Sequence, residues 1–242
     1  MILLFTDFGL AGPYQGQVKA VLHRNAPSAP VIDLFADAPF GNARAGAYLL
    51  AAYSREFPGG SVFLCVVDPG VGSDRRAVIV RADGRWFVGP DNGLLHAVVR
   101  QAGVRDAWEI TWRPERLSSS FHGRDLFAPV AADLARGHFP EGTRAIDPEE
   151  ITRDWPDDLL EVVYLDHFGN AITGVRAGSV SDGVRLEVAG RMLSWGRTFS
   201  EVALGEAFWY ENANGLVEIA VNQGSAASLL DLQVGTPIRL IE

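Results

Sequence analysis

Near Gly137 the residue pattern changes, and with it the kind of fold each half of the chain can form. Before it, short apolar runs alternate with longer stretches at helical spacing, the pattern of α/β layering around a largely parallel sheet. The apolar runs predict strands at Ile2 to Phe5, Val31 to Leu34, Val62 to Val67, Ala77 to Arg81 and Trp86 to Val88. Between them, Tyr14 to Asn25, Asn42 to Phe57 and Asn92 to Ala102 carry apolar residues at helical spacing, as Val18, Val21 and Leu22 do. A further helix is expected from Arg124 through Leu134, stopping at Gly137. From His138 to Asp158 the chain holds Pro140, Pro148, Pro156 and several acids, which reads as a surface connection. Beyond it the segments Glu161 to Leu165, Val184 to Val188, Leu216 to Val221 and Pro237 to Ile241 are short and strand-like between Gly-bearing turns. The expectation is an α/β domain over residues 1–152 and a smaller, mainly β domain over 158–242, sizes that the 242 residues support.

Charge narrows the partners. With 21 Lys+Arg against 30 Asp+Glu the net charge is −9, which leaves little positive potential for a phosphate backbone, so nucleic-acid binding is not expected. The single cysteine, Cys65, sits inside the apolar run Val62 to Val67 and reads as a small buried hydrophobe, with no intramolecular disulfide. Met1 leads into four apolar residues and then Thr6-Asp7, far short of the ~20 that span a bilayer, so no membrane partner is expected and a soluble cytoplasmic protein is.

Three polar clusters lie where strands of the first half should end, and ligands of open α/β sheets bind at the carboxyl ends of strands. Thr6-Asp7-Phe8-Gly9 offers a carboxylate that either accepts from a vicinal diol such as a ribose or caps a turn. Asp68-Pro69-Gly70-Val71-Gly72-Ser73-Asp74-Arg75-Arg76 puts a carboxylate at a strand end, with a guanidinium able to return beside it. Either a functional or a structural ion pair fits, and either arginine can supply it. Ser118-Ser119-Ser120-Phe121-His122-Gly123-Arg124-Asp125 places a histidine before a helix start, either an acid/base or donor or a satisfied core residue. Ser120 beside it suggests a serine hydrolase, but there is no Gly-x-Ser-x-Gly elbow.

In the second half, Asp166-His167-Phe168-Gly169-Asn170 supplies a carboxylate, a ring face and an amide able to read a purine edge. Asn212-Ala213-Asn214 and Asn222-Gln223-Gly224 bracket a strand, a setting in which Asn-rich turns are commonly structural. The five histidines show no metal-ligand spacing, so no metal site is expected.

The order of these clusters resembles the S-adenosyl-L-methionine hydroxide adenosyltransferases, relatives of fluorinase and chlorinase. The resemblance spans nearly the whole chain, through Thr6-Asp7-Phe8-Gly9, Tyr14-x-Gly16, Asp68-Pro69-Gly70-Val71-Gly72, Pro90-Asp91-Asn92-Gly93-Leu94-Leu95, Phe121-His122-Gly123-Arg124-Asp125, Phe168-Gly169-Asn170 and Gly215-Leu216-Val217-Glu218-Ile219-Ala220. It implies an α/β sandwich-like first domain, a barrel-like second one, and attack of an activated water on the ribose C5' of S-adenosylmethionine, without metal or cofactor. Asp68, Arg75 and His122 match the family's water-handling triad, the spacing favouring Arg75 over Arg76. The resemblance further gives Asp7 to the ribose, Asn170 with the backbone around Asn222 and Gln223 to the adenine, Asp166 to the methionine ammonium, and Phe121 and Phe168 to apolar walls. Ala213 and Asn214 stand where relatives usually carry a serine and, in the halogenases, an arginine, a departure from the family's grip on the methionine carboxylate, with Asn214 counted among the substrate-binding residues. The halogenating relatives lack the triad, and the interval Arg81-Ala82-Asp83-Gly84-Arg85 is only a short hairpin where fluorinase has an added loop. The implied assembly is a homotrimer with active sites between subunits. Two other readings are a halide-using adenosyl transferase and a non-catalytic S-adenosylmethionine or adenosine sensor.

Overall fold

The computed structural model describes residues 1–181 and 183–241, and the chain divides into two compact units. The first comprises Met1–Ala51 and Phe57–Asp154; the second comprises Ala52–Glu56 and the chain from Trp155 onward.

In the first unit the strands are β1 (Ile2–Thr6), β2 (Val31–Phe35), β3 (Val62–Val66), β4 (Ala77–Ala82), β5 (Arg85–Pro90), β6 (Arg105–Ile110) and β7 (Thr143–Ile146). They form one seven-stranded sheet in the order β2-β1-β3-β5-β4-β6-β7. The β1/β2, β1/β3 and β3/β5 pairs are parallel, and β4 turns back antiparallel between β5 and β6. The helices are α1 (Tyr14–Asn25), α2 (Ala43–Ser54), α3 (His96–Gln101) and α4 (Ala128–Ala135). Strand alternation decides which side chains meet them: Ile2, Leu4, Val62 and Leu64 share one buried cluster with Val18, Val21 and Leu22 of α1 and Val130 and Ala131 of α4. On the opposite face Phe5 reaches α2, where a Cβ added at Gly46 would lie 3.6 Å from its ring. Helices therefore cover both faces, and each fully buried Ile, Leu or Val contributes roughly 1.5–3 kcal/mol.

Element ends deviate from the sequence pattern for local reasons. Asn42 caps α2 through Oδ1, which accepts from the Ala45 N–H at 3.0 Å, and α2 stops at Ser54 rather than Phe57. The α3 expected from Asn92 starts at His96, because the Asn92 side chain is spent on a turn, accepting from Leu94 N at 3.1 Å and donating to Val67 O at 2.8 Å. The Pro-rich segment after His138 is not all connection: β7 within it pairs with β6 and closes that edge of the sheet.

The second unit carries β8 (Leu159–Leu165), β9 (Ala171–Arg176), β10 (Arg185–Val188), β11 (Arg191–Leu193), β12 (Ala207–Glu211), β13 (Leu216–Val221), α5 (Ala226–Leu230) and β14 (Ile238–Ile241). These make two antiparallel sheets, β12-β13-β9-β8 and β11-β10-β14. Barrel-like closure does not occur among the described residues; bulges between Leu159 and Tyr164 and strands as short as three residues leave two separate sheets packed on one core. At its centre β13 is buried at every position, including Glu218.

Candidate active site

Parallel pairing of β1 with β3 brings Thr6 opposite Val66, so the residues that follow both strands emerge at one edge of the sheet. Asp7 and Asp68 are those residues. They line a cavity of about 590 Å³ together with Phe8, Tyr14, Phe121 and His122.

Asp68 and Arg75 form a two-point ion pair. Arg75 Nε donates to Asp68 Oδ1 at 2.7 Å and Nη2 donates to Oδ2, with side chains only 4% and 9% exposed for Asp68 and Arg75 respectively. The same Nη2 lies 3.2 Å from His122 Nδ1. The carboxylate, not the guanidinium, is the member of the pair that lines the cavity. Arg76, the other arginine of the cluster, turns elsewhere and donates to Asp91 at 2.8 Å and Glu150 at 2.7 Å. The loop that makes this possible needs Gly72, whose φ is +83° and whose missing Cβ would sit 2.5 Å from Ser119 O.

His122 immediately precedes a single π-helical turn, Gly123–Phe127, that runs directly into α4. Such turns recur at functional sites because they re-aim side chains without ending the helix. Burial and, second, the Arg75 charge hold its imidazole below the ordinary 6.5. Ser120 is no partner for it; the Ser120 hydroxyl lies 3.5 Å from that of Ser118, so the serine-hydrolase arrangement is not formed.

Asp7 does not cap α1. Its Oδ2 accepts from the Gly41 N–H at 2.9 Å, and burial, with a smaller contribution from the Asp68 charge, raises its carboxyl above 3.8. Phe121 is buried and packs edge-on against Phe8 and Tyr14, with centroids 5.7 and 5.4 Å away. The site therefore combines carboxylates, aromatic faces and one imidazole, a set suited to a cationic, partly apolar ligand.

The remaining predicted residues lie in the second unit. Asp166 organises its own loop: Oδ1 accepts from Phe168 N and Asn170 N at 2.9 and 2.8 Å, and Oδ2 accepts from Asn170 Nδ2 at 3.1 Å. Phe168 is 76% exposed, whereas Asn170 is buried. Asn214 donates its N–H to Asn212 Oδ1 at 2.9 Å and its side chain hydrogen-bonds Tyr53. Asn222 is tied to the backbone, Nδ2 donating to Val202 O at 2.7 Å, and Gln223 occupies a left-handed turn at φ 56°.

Sequence reasoning missed one group in this unit. Glu218 accepts from Tyr210 Oη at 2.5 Å and Asn212 Nδ2 at 3.0 Å, and burial raises its carboxyl above 4.5. The same two acids, Glu218 and Asp166, help push the Tyr53 hydroxyl up to about 12, after burial as the main cause. The available signal was a lone acid inside the apolar run Leu216 to Val221. Among the described residues no group of three His, Cys, Asp or Glu side chains is arranged to hold a metal ion, and no helix is long and apolar enough to cross a membrane.

Comparison with known proteins adds to this geometry. Residues 2–143 match the SAM hydroxide adenosyltransferase N-terminal domain, and residues 160–239 match the corresponding C-terminal domain. The chain is 42% identical over 258 aligned positions to an (R)-S-adenosyl-L-methionine hydrolase of Thermus thermophilus, covering 99% of both chains. It is 26% identical to a fluorinase of Actinopolyspora mzabensis, across 99% of this chain and 96% of the fluorinase. A crystal structure of an uncharacterized conserved protein from Thermotoga maritima superposes with a TM-score of 0.85 at 33% identity, covering 100% of both chains.

Proposed function

This chain belongs to the SAM hydroxide adenosyltransferase family, and we propose on that premise that it hydrolyses S-adenosyl-L-methionine to adenosine and L-methionine. The observation that carries the reading is the joint hold of Arg75 on Asp68 and His122 beside a cavity that Asp7 also lines. Water bound between an Asp68 oxygen and the outer nitrogen of His122 attacks ribose C5'. The C5'–S bond breaks, its electron pair neutralises the sulfonium to the thioether of methionine, and the proton lost by water passes to Asp68 and then to solvent. Arg75 holds the carboxylate so that it orients the nucleophile without swinging into the pocket. The sulfonium is already a good leaving group, so the reading calls for no metal or cofactor, and activity is expected to survive exhaustive chelation.

Asp7, whose Oδ2 is taken by Gly41, offers Oδ1 to the ribose hydroxyls. Phe121 and Phe168 serve as apolar walls, Asn170 and the backbone at Asn222 and Gln223 meet the adenine, and Asp166 and Asn214 attend the amino-acid end. The reading includes a cytoplasmic homotrimer in which the first domain of one subunit and the second of its neighbour share each active site. An inactive Asp68→Ala chain exchanged with an inactive Asn170→Ala chain should then recover activity, and failure despite subunit exchange would refute the shared site.

The deciding experiment for the reaction is mass spectrometry of the product made in oxygen-18 water. Label in the 5' oxygen of adenosine is the expected result. Unlabelled adenosine, or methylthioadenosine in its place, would refute attack at C5'.

A further inference from the structure

Asp68 and Arg75 stand at the two ends of one loop, which leaves β3 after Val66 and enters β4 at Ala77. Both stems of that loop are held by the two residues that follow β5, Asp91 and Asn92. On the first stem Asn92 Nδ2 donates to Val67 O at 2.8 Å, the carbonyl of the peptide that leads into Asp68. On the second, Asp91 N donates to Arg76 O at 3.0 Å, and Asp91 Oδ2 accepts from Arg76 Nε at 2.8 Å. Asp91 is itself fixed. Its side chain is 7% exposed, and its Oδ1 and its carbonyl accept from Arg153 Nη2 at 2.8 and 3.0 Å. The far end of the Asn92 amide is engaged too, Oδ1 accepting from Leu94 N at 3.1 Å, so the amide cannot turn its donor away from Val67 without losing both bonds. Within the loop Ser73 Oγ donates to Gly70 O at 2.7 Å, a local tie that does not set where the stems lie.

We infer that Asp91 and Asn92 are positioning residues for the hydrolysis, a clamp on both stems of the loop that aims the Asp68 carboxylate and the Arg75 fork at the nucleophile. This rests on the reading above that Asp68 orients and deprotonates the water. Neither residue lines the cavity, so each acts through the neighbour of the residue it holds. A peptide unit is planar and rigid, so fixing Val67 O also fixes the Cα of Asp68. Successive side chains of an extended segment point to opposite sides. Arg76, drawn onto Asp91, therefore commits Arg75 to the other side, where it meets Asp68 and His122. The aim has little slack, because one guanidinium must match both Asp68 oxygens and reach His122 Nδ1 at once.

The test is Asn92→Asp in the full-length protein, which keeps an oxygen for Leu94 N and removes the donor to Val67 O. The kcat for adenosine formation from S-adenosylmethionine should fall ~10-fold or more, toward the ~100-fold that a 1 Å misplacement can cost. KM and the calorimetric affinity for adenosine should stay within ~2-fold of native, because contacts to the substrate are untouched. Asn92→Ala, which adds no charge, should show the same split. The decisive readout is the same change made in Asp68→Ala. With no carboxylate left to aim, the further loss in kcat should shrink to ~2-fold or less, whereas independent sites would multiply their losses. Multiplied losses in the double variant, native kcat in Asn92→Asp, or adenosine affinity falling as far as kcat would each reduce the pair to scaffolding and overturn the inference. A native chain that forms no adenosine refutes the hydrolase reading and the clamp with it, whereas an active native chain beside an unaffected variant refutes only the clamp. Should Asn92→Asp fail to fold, Arg76→Gln decides, since Arg76 is partly exposed and its loss frees the second stem from Asp91. There kcat should fall with adenosine affinity kept, and a native kcat would overturn the clamp.

Discussion

Arg75 Nη2 lies 3.2 Å from His122 Nδ1, and that distance fixes the tautomer of the histidine. A guanidinium has hydrogens to give and no lone pair, so Nδ1 must accept and the imidazole must be neutral, with its hydrogen on Nε2. His122 is thereby a donor toward its other side. In the proposed reaction it holds the nucleophile by donating to it, and base strength is left to Asp68.

Arg75→Lys tests whether the fork matters or only the charge. A lysine ammonium is a point donor and cannot span both Asp68 oxygens while also reaching Nδ1. We expect kcat to fall ~100-fold with little change in KM, read by steady-state kinetics, since positioning of the nucleophile is lost and substrate contacts are not. A variant with native kcat would mean that charge alone suffices.

The lowered His122 titration gives a pH dependence with a definite sign. Above pH 6.5 the imidazole is neutral in the folded and unfolded chain alike and contributes no pH dependence. Below it the unfolded chain takes up the proton first, so stability falls with falling pH until the folded-state value is passed. Activity should fall along the same limb, because a protonated Nδ1 can no longer accept from Arg75. The pH profile of kcat/KM should show an acid limb whose midpoint lies below 6.5, moved to lower pH in His122→Asn; a midpoint above 6.5 would contradict the arrangement.

Gly72→Ala probes the loop that carries Arg75. A left-handed backbone at an alanine costs about 1–3 kcal/mol, and here the new methyl also meets Ser119 O, 2.5 Å from the ideal Cβ position. For a chain of this size, each kcal/mol lowers Tm by about 2–4 °C. Calorimetry should show that loss, and activity should drop with it because the loop cannot relax without moving the Asp68–Arg75 pair. An unchanged Tm would show that the 118–120 segment gives way freely.

Much of this site is legible from residue order because a parallel sheet delivers strand-end residues to one edge. Asp7 and Asp68 follow apolar runs whose pairing was implicit in the α/β alternation, and His122 precedes a recognisable helix. The choice between Arg75 and Arg76 is different in kind. Residues themselves leave it open, and only the path of the loop sends Arg76 to Asp91 and Glu150. β7 is hidden for a related reason: four residues among prolines have no periodicity of their own and become a strand through pairing with β6. Tyr53 is masked by the apolar spacing of α2. Its neighbours Asn214, Asp166 and Glu218 come from segments over a hundred residues later, and no local pattern announces such a meeting.

Asp68→Ala separates catalysis from binding. If Asp68 orients water and takes its proton while touching the substrate little, truncation should lower kcat by ~100-fold or more, the scale of losing general-base help. Adenosine affinity should stay near native. Asp7→Ala should differ, weakening adenosine as well, because a ribose acceptor acts in ground state and transition state alike. Calorimetry and single-turnover kinetics distinguish the two. The removal has a further consequence, since it leaves Arg75 in place without its anion, 5.5 Å over the Phe127 ring and beside His122. The cavity edge then carries an uncompensated guanidinium where a carboxylate stood, and chloride meets attraction in place of repulsion. In Asp68→Ala supplied with chloride, the ratio of 5'-chloro-5'-deoxyadenosine to adenosine should therefore rise above native. Full turnover in this variant would remove Asp68 from the nucleophile's activation and leave His122 and in-line placement of water to account for the rate.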